Sequence, residues 1–160
     1  MDEKVKSMLY PNSDQVMLPG DVIYSSKGWS TFLVGHVGMV GTDLRIHHSH
    51  PLGGFSDSWK GYLSRHKFGG TITVFRPVEG ALDAARWAEE NVGLINKYFF
   101  HPYLDNIASN YCSKFIWQAF WFSSKTDITG RGLTNKSIRW VYPLDIKRTV
   151  KLKYLLHISL

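Results

Sequence analysis

The apolar positions of this chain change period several times, and the changes divide it into elements. Val22-Ile23-Tyr24 begins a strand behind the turn signal Leu18-Pro19-Gly20-Asp21. Two β-branched and apolar runs then flank Gly41-Thr42-Asp43, which predicts a β-hairpin over 34–50. With those three residues as the loop, Val40 pairs with Leu44. His36 then lies directly opposite His48, with Cβ atoms about 5 Å apart. Strand alternation puts Val34, His36, Gly38 and Val40 on one face with Leu44, Ile46, His48 and His50. A two-residue loop would send His48 to the other face. Pro51-Leu52-Gly53-Gly54 breaks the hairpin, and Phe55, Trp59, Tyr62, Leu63 and His66 follow at helical spacing.

Residues 71–75 alternate as a strand that stops at Arg76-Pro77. Ala81, Ala84, Ala85, Ala88 and Val92 mark a helix reaching toward Tyr98, weakened by Gly93. A second helix starts near Asn110, with Cys112, Phe115, Ile116, Ala119 and Phe120 as one apolar stripe. A polar loop covers 123–136, Leu144-Asp145-Ile146 forms a short turn, and 153–158 closes as a strand. With neither repeat nor linker, the chain reads as one α+β domain over 18–160 behind a loosely ordered segment, 1–17.

Composition narrows the class. A chain of 160 residues, 44% hydrophobic and 14% aromatic, suits one packed domain and argues against disorder. Cys112 is the only cysteine, which excludes an internal disulfide and leaves the compartment undecided. The first twenty residues lack the apolar core of a signal peptide. The apolar run 115–122, broken by Gln118, is far too short to span a membrane. The expectation is a cytoplasmic protein as the chain stands, secreted if a leader was removed, with no transmembrane segment. The net charge of +6 is spread along the sequence and no nucleic-acid motif accompanies it, so nucleic acid is not an expected partner. A solvated surface explains the charge; mild attraction to an anionic polymer or lipid surface is the alternative.

Two sets of residues carry candidate chemistry. Cys112 stands near a helix start, where first-turn N–H groups and the macrodipole favour a thiolate and could hold an oxyanion. It also suits a small core side chain heading an apolar stripe. His36 beside His48 can form a relay in which one ring takes a proton while the other fixes its tautomer. His36, His48 and His50 on one face could instead ligate zinc or another divalent ion. Against the metal, no carboxylate stands clearly placed to support it: Asp43 falls in the turn and Asp57 in the next segment. Phosphate-binding glycine loops, dinucleotide fingerprints, serine elbows and paired cysteines are absent from the sequence.

Four motifs in order carry a resemblance: Pro19-Gly20-Asp21-Val22-Ile23-Tyr24, Gly35-His36-Val37-Gly38-Met39-Val40, Ile46-His47-His48-Ser49-His50-Pro51 and Asn110-Tyr111-Cys112-Ser113. Together with 141–146 they resemble the circularly permuted papain-like amidases, the YiiX-like and YycO-like branch of the NlpC-type cysteine peptidases. The likeness covers about 18–158. It implies an antiparallel sheet packed against helices, with the histidine strand preceding the cysteine helix. By that resemblance Cys112 is the nucleophile, His36 the general base and His48 the polar residue that orients it. In many relatives that third position is Glu or another polar residue, and a Cys-His-His set is also similar to the lecithin:retinol acyltransferase relatives. The implied activity is hydrolysis of an amide, with peptide or cell-wall fragments as substrate and no cofactor. Acyl transfer or phospholipase action on lipids is one alternative, and a histidine metal site or a non-catalytic binding domain is another. Tyr24, Trp29 and Tyr111 are expected, by position, to line the substrate cleft.

Overall fold

The period-two runs become strands of one antiparallel sheet. A computed structural model describes residues 9–26, 35–65 and 70–159; Trp29, Val34 and His66, singled out above, lie outside the described residues. Along the chain come β1 (Val22–Ser25), β2 (His36–Val40), β3 (Ile46–His50), β4 (Gly53–Asp57), α1 (Trp59–Ser64), β5 (Thr71–Pro77) and α2 (Ala81–Asn91). A 3-10 turn (Val92–Leu94) leads to β6 (Lys97–Tyr98), β7 (Ser109–Asn110), α3 (Cys112–Ser124), α4 (Pro143–Arg148) and β8 (Leu152–Ser159). Among the described residues, the large sheet runs in the order β4-β3-β2-β1-β5-β8 with every pair antiparallel. β6 and β7 form a short parallel pair.

Successive strand residues point to opposite faces, and both faces are covered. Val22, Tyr24, Val37, Met39 and Phe75 pack against α2, α3 and α4. Ile23, Val40, Ile46, Ile72, Val74 and Ile158 face the other way, under Tyr62 of α1 and under Tyr10 and Met17. His36 and His48 belong to this second face, Cys112 to the helix side.

Residues 9–17, expected to be loosely ordered, are tied down instead. Leu9 bridges to Val16, and the buried Tyr10 donates its hydroxyl to Asp21 Oδ2 at 2.7 Å. Asp21 is fully buried and also accepts from Leu18 N at 3.0 Å and from the Arg76 guanidinium at both oxygens. A buried carboxylate needs donors on this scale to offset its lost hydration.

Elsewhere the boundaries shift for local reasons. Gly53-Gly54 opens β4 rather than breaking the chain: a Cβ on Gly54 would collide with the Val92 carbonyl oxygen, so the glycine marks a close approach. α2 stops at Asn91, one residue before the 3-10 turn that contains Gly93. The expected turn at 144–146 is the helix α4, with Pro143 in its first turn and Asp145 accepting from Tyr142 N at 2.8 Å.

α3 is wrapped on every side rather than along one stripe, since all residues from Cys112 to Phe120 are buried. Its polar members are satisfied internally. Lys114 Nζ donates to the carbonyls of His101, Tyr103 and Ser109, and burial pushes its pKa down to about 8. Gln118 Nε2 donates to the carbonyls of Leu104 and Asn106, while its Oε1 accepts from Asn110 Nδ2. These bonds strap the 99–110 loop around the helix. Replacing Asp21 by Ala strands Tyr10 and Arg76 and should cost about 3–5 kcal/mol in urea denaturation, whereas Tyr10→Phe should cost about 1 kcal/mol. Equal losses for the two would contradict the central place given to the carboxylate.

Candidate active site

The hairpin loop is three residues long but sits one position later than expected. Gly41 N donates to Arg45 O at 2.8 Å and Leu44 N to Gly41 O at 3.1 Å, while Leu44 takes φ 58. That is a turn closed by a left-handed residue. Val40 therefore pairs with Ile46 and Met39 with His47. The expected pairings of Val40 with Leu44 and His36 with His48 are each displaced by two residues, and an even displacement leaves every side chain on its face. His36 and His48 become diagonal neighbours across Gly38. A Cβ on Gly38 would meet Ile46 Cγ2 at 2.9 Å and His48 Cβ at 3.3 Å, so its absence makes room for the two rings to meet.

Beyond Met39 and His47 the ladder between β2 and β3 ends, while β3 stays paired with β4 as far as His50. Val40 N points to β1, bonding Asp21 O, and Gly41 N points to β3, bonding Arg45 O. By alternation Val37 N also faces the β3 side. There it donates to the Cys112 sulfur, which the first turn of α3 brings into the seam. Tyr24 on one face of the sheet and Tyr62 on the other are both pushed up in pKa, by burial first and then by the nearby Cys112. The sulfur is within electrostatic reach of both.

Burial dominates the thiol. It pushes Cys112 above its ordinary value, and the N–H groups of Val37, Ser113 and Cys112 itself pull it back only in part. The Tyr98 side chain is also hydrogen-bonded to Cys112. The reading that a helix start favours a thiolate counted the N-terminal N–H groups and left out the desolvation. On balance the thiol is shifted toward its neutral form.

The imidazoles form a directed chain. His36 Nε2 and His48 Nδ1 are 2.8 Å apart, and His48 Nε2 lies 2.7 Å from Asp57 Oδ2. Asp57, at the end of β4, also takes both sides of the Arg65 guanidinium fork, which rests on the Phe55 ring. Burial alone would raise its carboxyl, but the hydrogen bonds from His48 and Arg65 hold it well below the usual carboxylate range. An ionised carboxylate only accepts, so His48 Nε2 carries a proton. With both rings neutral, His48 Nδ1 accepts from His36 Nε2–H, which leaves His36 Nδ1 unprotonated.

No protein-family model matches the sequence, and no curated protein matches it. Among solved structures, the crystal structure of the metalloprotein yiiX from Escherichia coli O157:H7 superposes with a TM-score of 0.60, over 86% of this chain and 96% of that one. The chain shares its fold with yiiX. At 17% identity the likeness to yiiX speaks for the fold alone.

On this yiiX-like fold the other candidates fall into separate places. Tyr24 and Tyr111 are 4% and 1% exposed, so they wall the site from within rather than line an open cleft. Tyr111 stands at the N-cap of α3, and its hydroxyl accepts from Val141 N at 2.9 Å. Trp29 lies outside the described residues. His50 packs its ring against His36, His48 and Phe55, and its Nδ1 accepts from Leu52 N. Both ring nitrogens of His48 are engaged, Nδ1 with His36 and Nε2 with Asp57. Among the described residues, donors converge instead at Asp43, His47 and Glu89.

The sequence reading missed Asp57, Arg65 and Tyr62 as partners of the histidines. A usable signal was present: Ser58 caps α1, its Oγ accepting from Gly61 N, and Tyr62 and Arg65 follow one and two turns on. Asp57 therefore had a basic residue within reach. Its depressed pKa also fixes a sign. A carboxyl lowered in the folded state stabilises the fold above the unfolded value of about 3.9, and that gain is lost as pH falls toward the folded value. In acid titrations followed by circular dichroism, Asp57→Asn should flatten the loss of stability below the ordinary carboxylate pKa. An unchanged acid limb would mean that Asp57 is not held ionised by His48 and Arg65.

Proposed function

We propose that the chain is a cysteine hydrolase of the circularly permuted papain-like kind, cutting an amide bond through an acyl-enzyme. The carrying observation is the directed chain from Asp57 through His48 to His36, which ends beside the seam that holds the Cys112 sulfur. With the thiol shifted toward its neutral form, His36 Nδ1 takes its proton as the sulfur attacks the carbonyl carbon. The C–S bond forms, the carbonyl electron pair moves to oxygen, and the first-turn N–H groups of Cys112 and Ser113, turned toward the sulfur, receive the oxyanion. The proton on His36 passes to the leaving amine as the C–N bond breaks. Water, deprotonated by His36, then attacks the thioester and frees the acid and the thiol. His48 and Asp57 act as positioning residues that keep the His36 proton on Nε2. No cofactor enters these steps.

Peptide amides of the cell-wall kind are the proposed substrate class. A lipid acyl substrate is the second reading, and one observation favours it. Phe99, Phe100, Tyr103, Trp140 and Tyr142 are exposed, and Trp140 Nε1 donates to Phe100 O while Tyr103 bridges to Ile138. This aromatic rim continues from Tyr98 and Tyr111, which adjoin the sulfur. Release of an amine from muropeptides distinguishes the first reading from acyl transfer between lipids in the second.

If the metalloprotein description of yiiX extends to this chain, the donor set that fits a metal among the described residues is Asp43, His47 and Glu89. An ion there would crosslink the hairpin turn to α2 and supply no step at Cys112.

Incubation with a small activated ester such as p-nitrophenyl acetate, followed by intact-mass spectrometry, reads acylation directly, since Cys112 is the only cysteine. We expect an acyl adduct at Cys112, none with Cys112→Ala, and a rate lowered ~10²- to 10⁴-fold by His36→Ala. Asp57→Asn should also slow acylation, by ~10²-fold or more, while leaving alkylation of the thiol at high pH intact. A folded His36→Ala variant that acylates as fast as the parent chain would overturn the proposal.

A further inference from the structure

We propose that Asp43, His47 and Glu89 form a binding site for a divalent metal ion of the zinc or manganese kind, stapling the hairpin turn to α2. Each residue offers a donor atom, and these atoms lie within 4.8 Å of one another. One imidazole nitrogen with two carboxylates suits zinc or manganese better than calcium, which takes oxygen alone, or copper(I), which takes sulfur. The site stands on the helix side of the sheet, five residues along β2 from His36, or ~16 Å at strand rise. It is therefore independent of the cysteine chemistry proposed above.

Three elements hold the donors in place beforehand. Asp43 Oδ1 accepts from Arg45 N at 3.0 Å within the turn. Glu89 reaches across from α2, taking Asp43 N at 2.8 Å and the Thr42 hydroxyl. His47 projects from β3, with Nε2 3.1 Å from Asp43 Oδ1. Gly41 leaves the space open: a Cβ there would sit 2.5 Å from His47 Nε2 and 2.6 Å from Asp43 Oδ1.

The independent sign of a ligand is His47 itself. Its side chain is 3% exposed, yet Nδ1 has no hydrogen-bond partner among the described residues, nor does Ser49 Oγ two residues along the same face. A buried ring whose Nε2 meets, at 3.1 Å, a carboxylate 40% exposed is poorly repaid for its desolvation. A metal–nitrogen bond offsets that loss, and a cation relieves two carboxylates held side by side.

The test is a titration of the full chain, stripped by chelator, with Zn2+ alone, read by calorimetry and by thermal melting. We expect one equivalent bound and a raised melting temperature, both retained in Cys112→Ser. Glu89→Gln keeps the acceptor oxygen for Asp43 N and should fold normally, but weaken Zn2+ at least ~10-fold, as should Asp43→Asn. Saturable binding unaffected by both variants, binding that disappears in Cys112→Ser, or no saturable binding at all would overturn the site. None of these readouts depends on acylation at Cys112, so the two proposals fail separately.

Discussion

An ionised carboxylate accepts hydrogen bonds and cannot give one, and that one-way constraint at Asp57 orders the histidine pair. With both rings neutral, His48 Nε2 points its proton at Asp57, which leaves Nδ1 to accept from His36. Arg65 holds Asp57 ionised, and Phe55 holds Arg65. β4, α1 and the turn between them thus exist, in chemical terms, to set the direction of a proton on a ring two strands away. Without a fixed acceptor at the end, two neighbouring imidazoles could carry their shared proton either way round.

The second constraint is burial. α3 is enclosed along its first half, and its lysine and glutamine are spent strapping the 99–110 loop around it. That enclosure brings the Cys112 sulfur into the opened seam between β2 and β3, at the cost of a thiol that resists ionisation. In the hydrolase we propose, a thiol shifted toward its neutral form needs a base more than an exposed thiolate does, and the directed histidines would supply one. The hairpin serves both ends: its far part splays around the sulfur, and its turn converges on Glu89 of α2.

The α+β class, the main strands and the two principal helices were legible because burial on a sheet or helix imposes a period. The shared face of His36 and His48 was legible for the same reason, and it survived a register error because the displacement was even. What was not legible came from three-dimensional economy. Gly53-Gly54 looked like punctuation, though Gly54 is a strand residue kept small by the Val92 carbonyl. Tyr10 looked like part of a loose leader because its partner, Asp21, lies beyond a turn. The pairing of Asp57 with His48 depends on β4, so missing that strand hid the carboxylate that orients the site. The raised thiol was missed because a helix start is visible in a sequence and the loop that covers it is not.

The most direct measurement is ¹⁵N NMR of the histidine rings in the full-length protein near neutral pH, which reports the protonation of each nitrogen. The account predicts that His36 and His48 are both neutral, protonated at Nε2 and bare at Nδ1. A proton on His36 Nδ1 with a bare Nε2 would contradict it: the lone pair would then be turned toward His48, and His36 would have no base to offer Cys112.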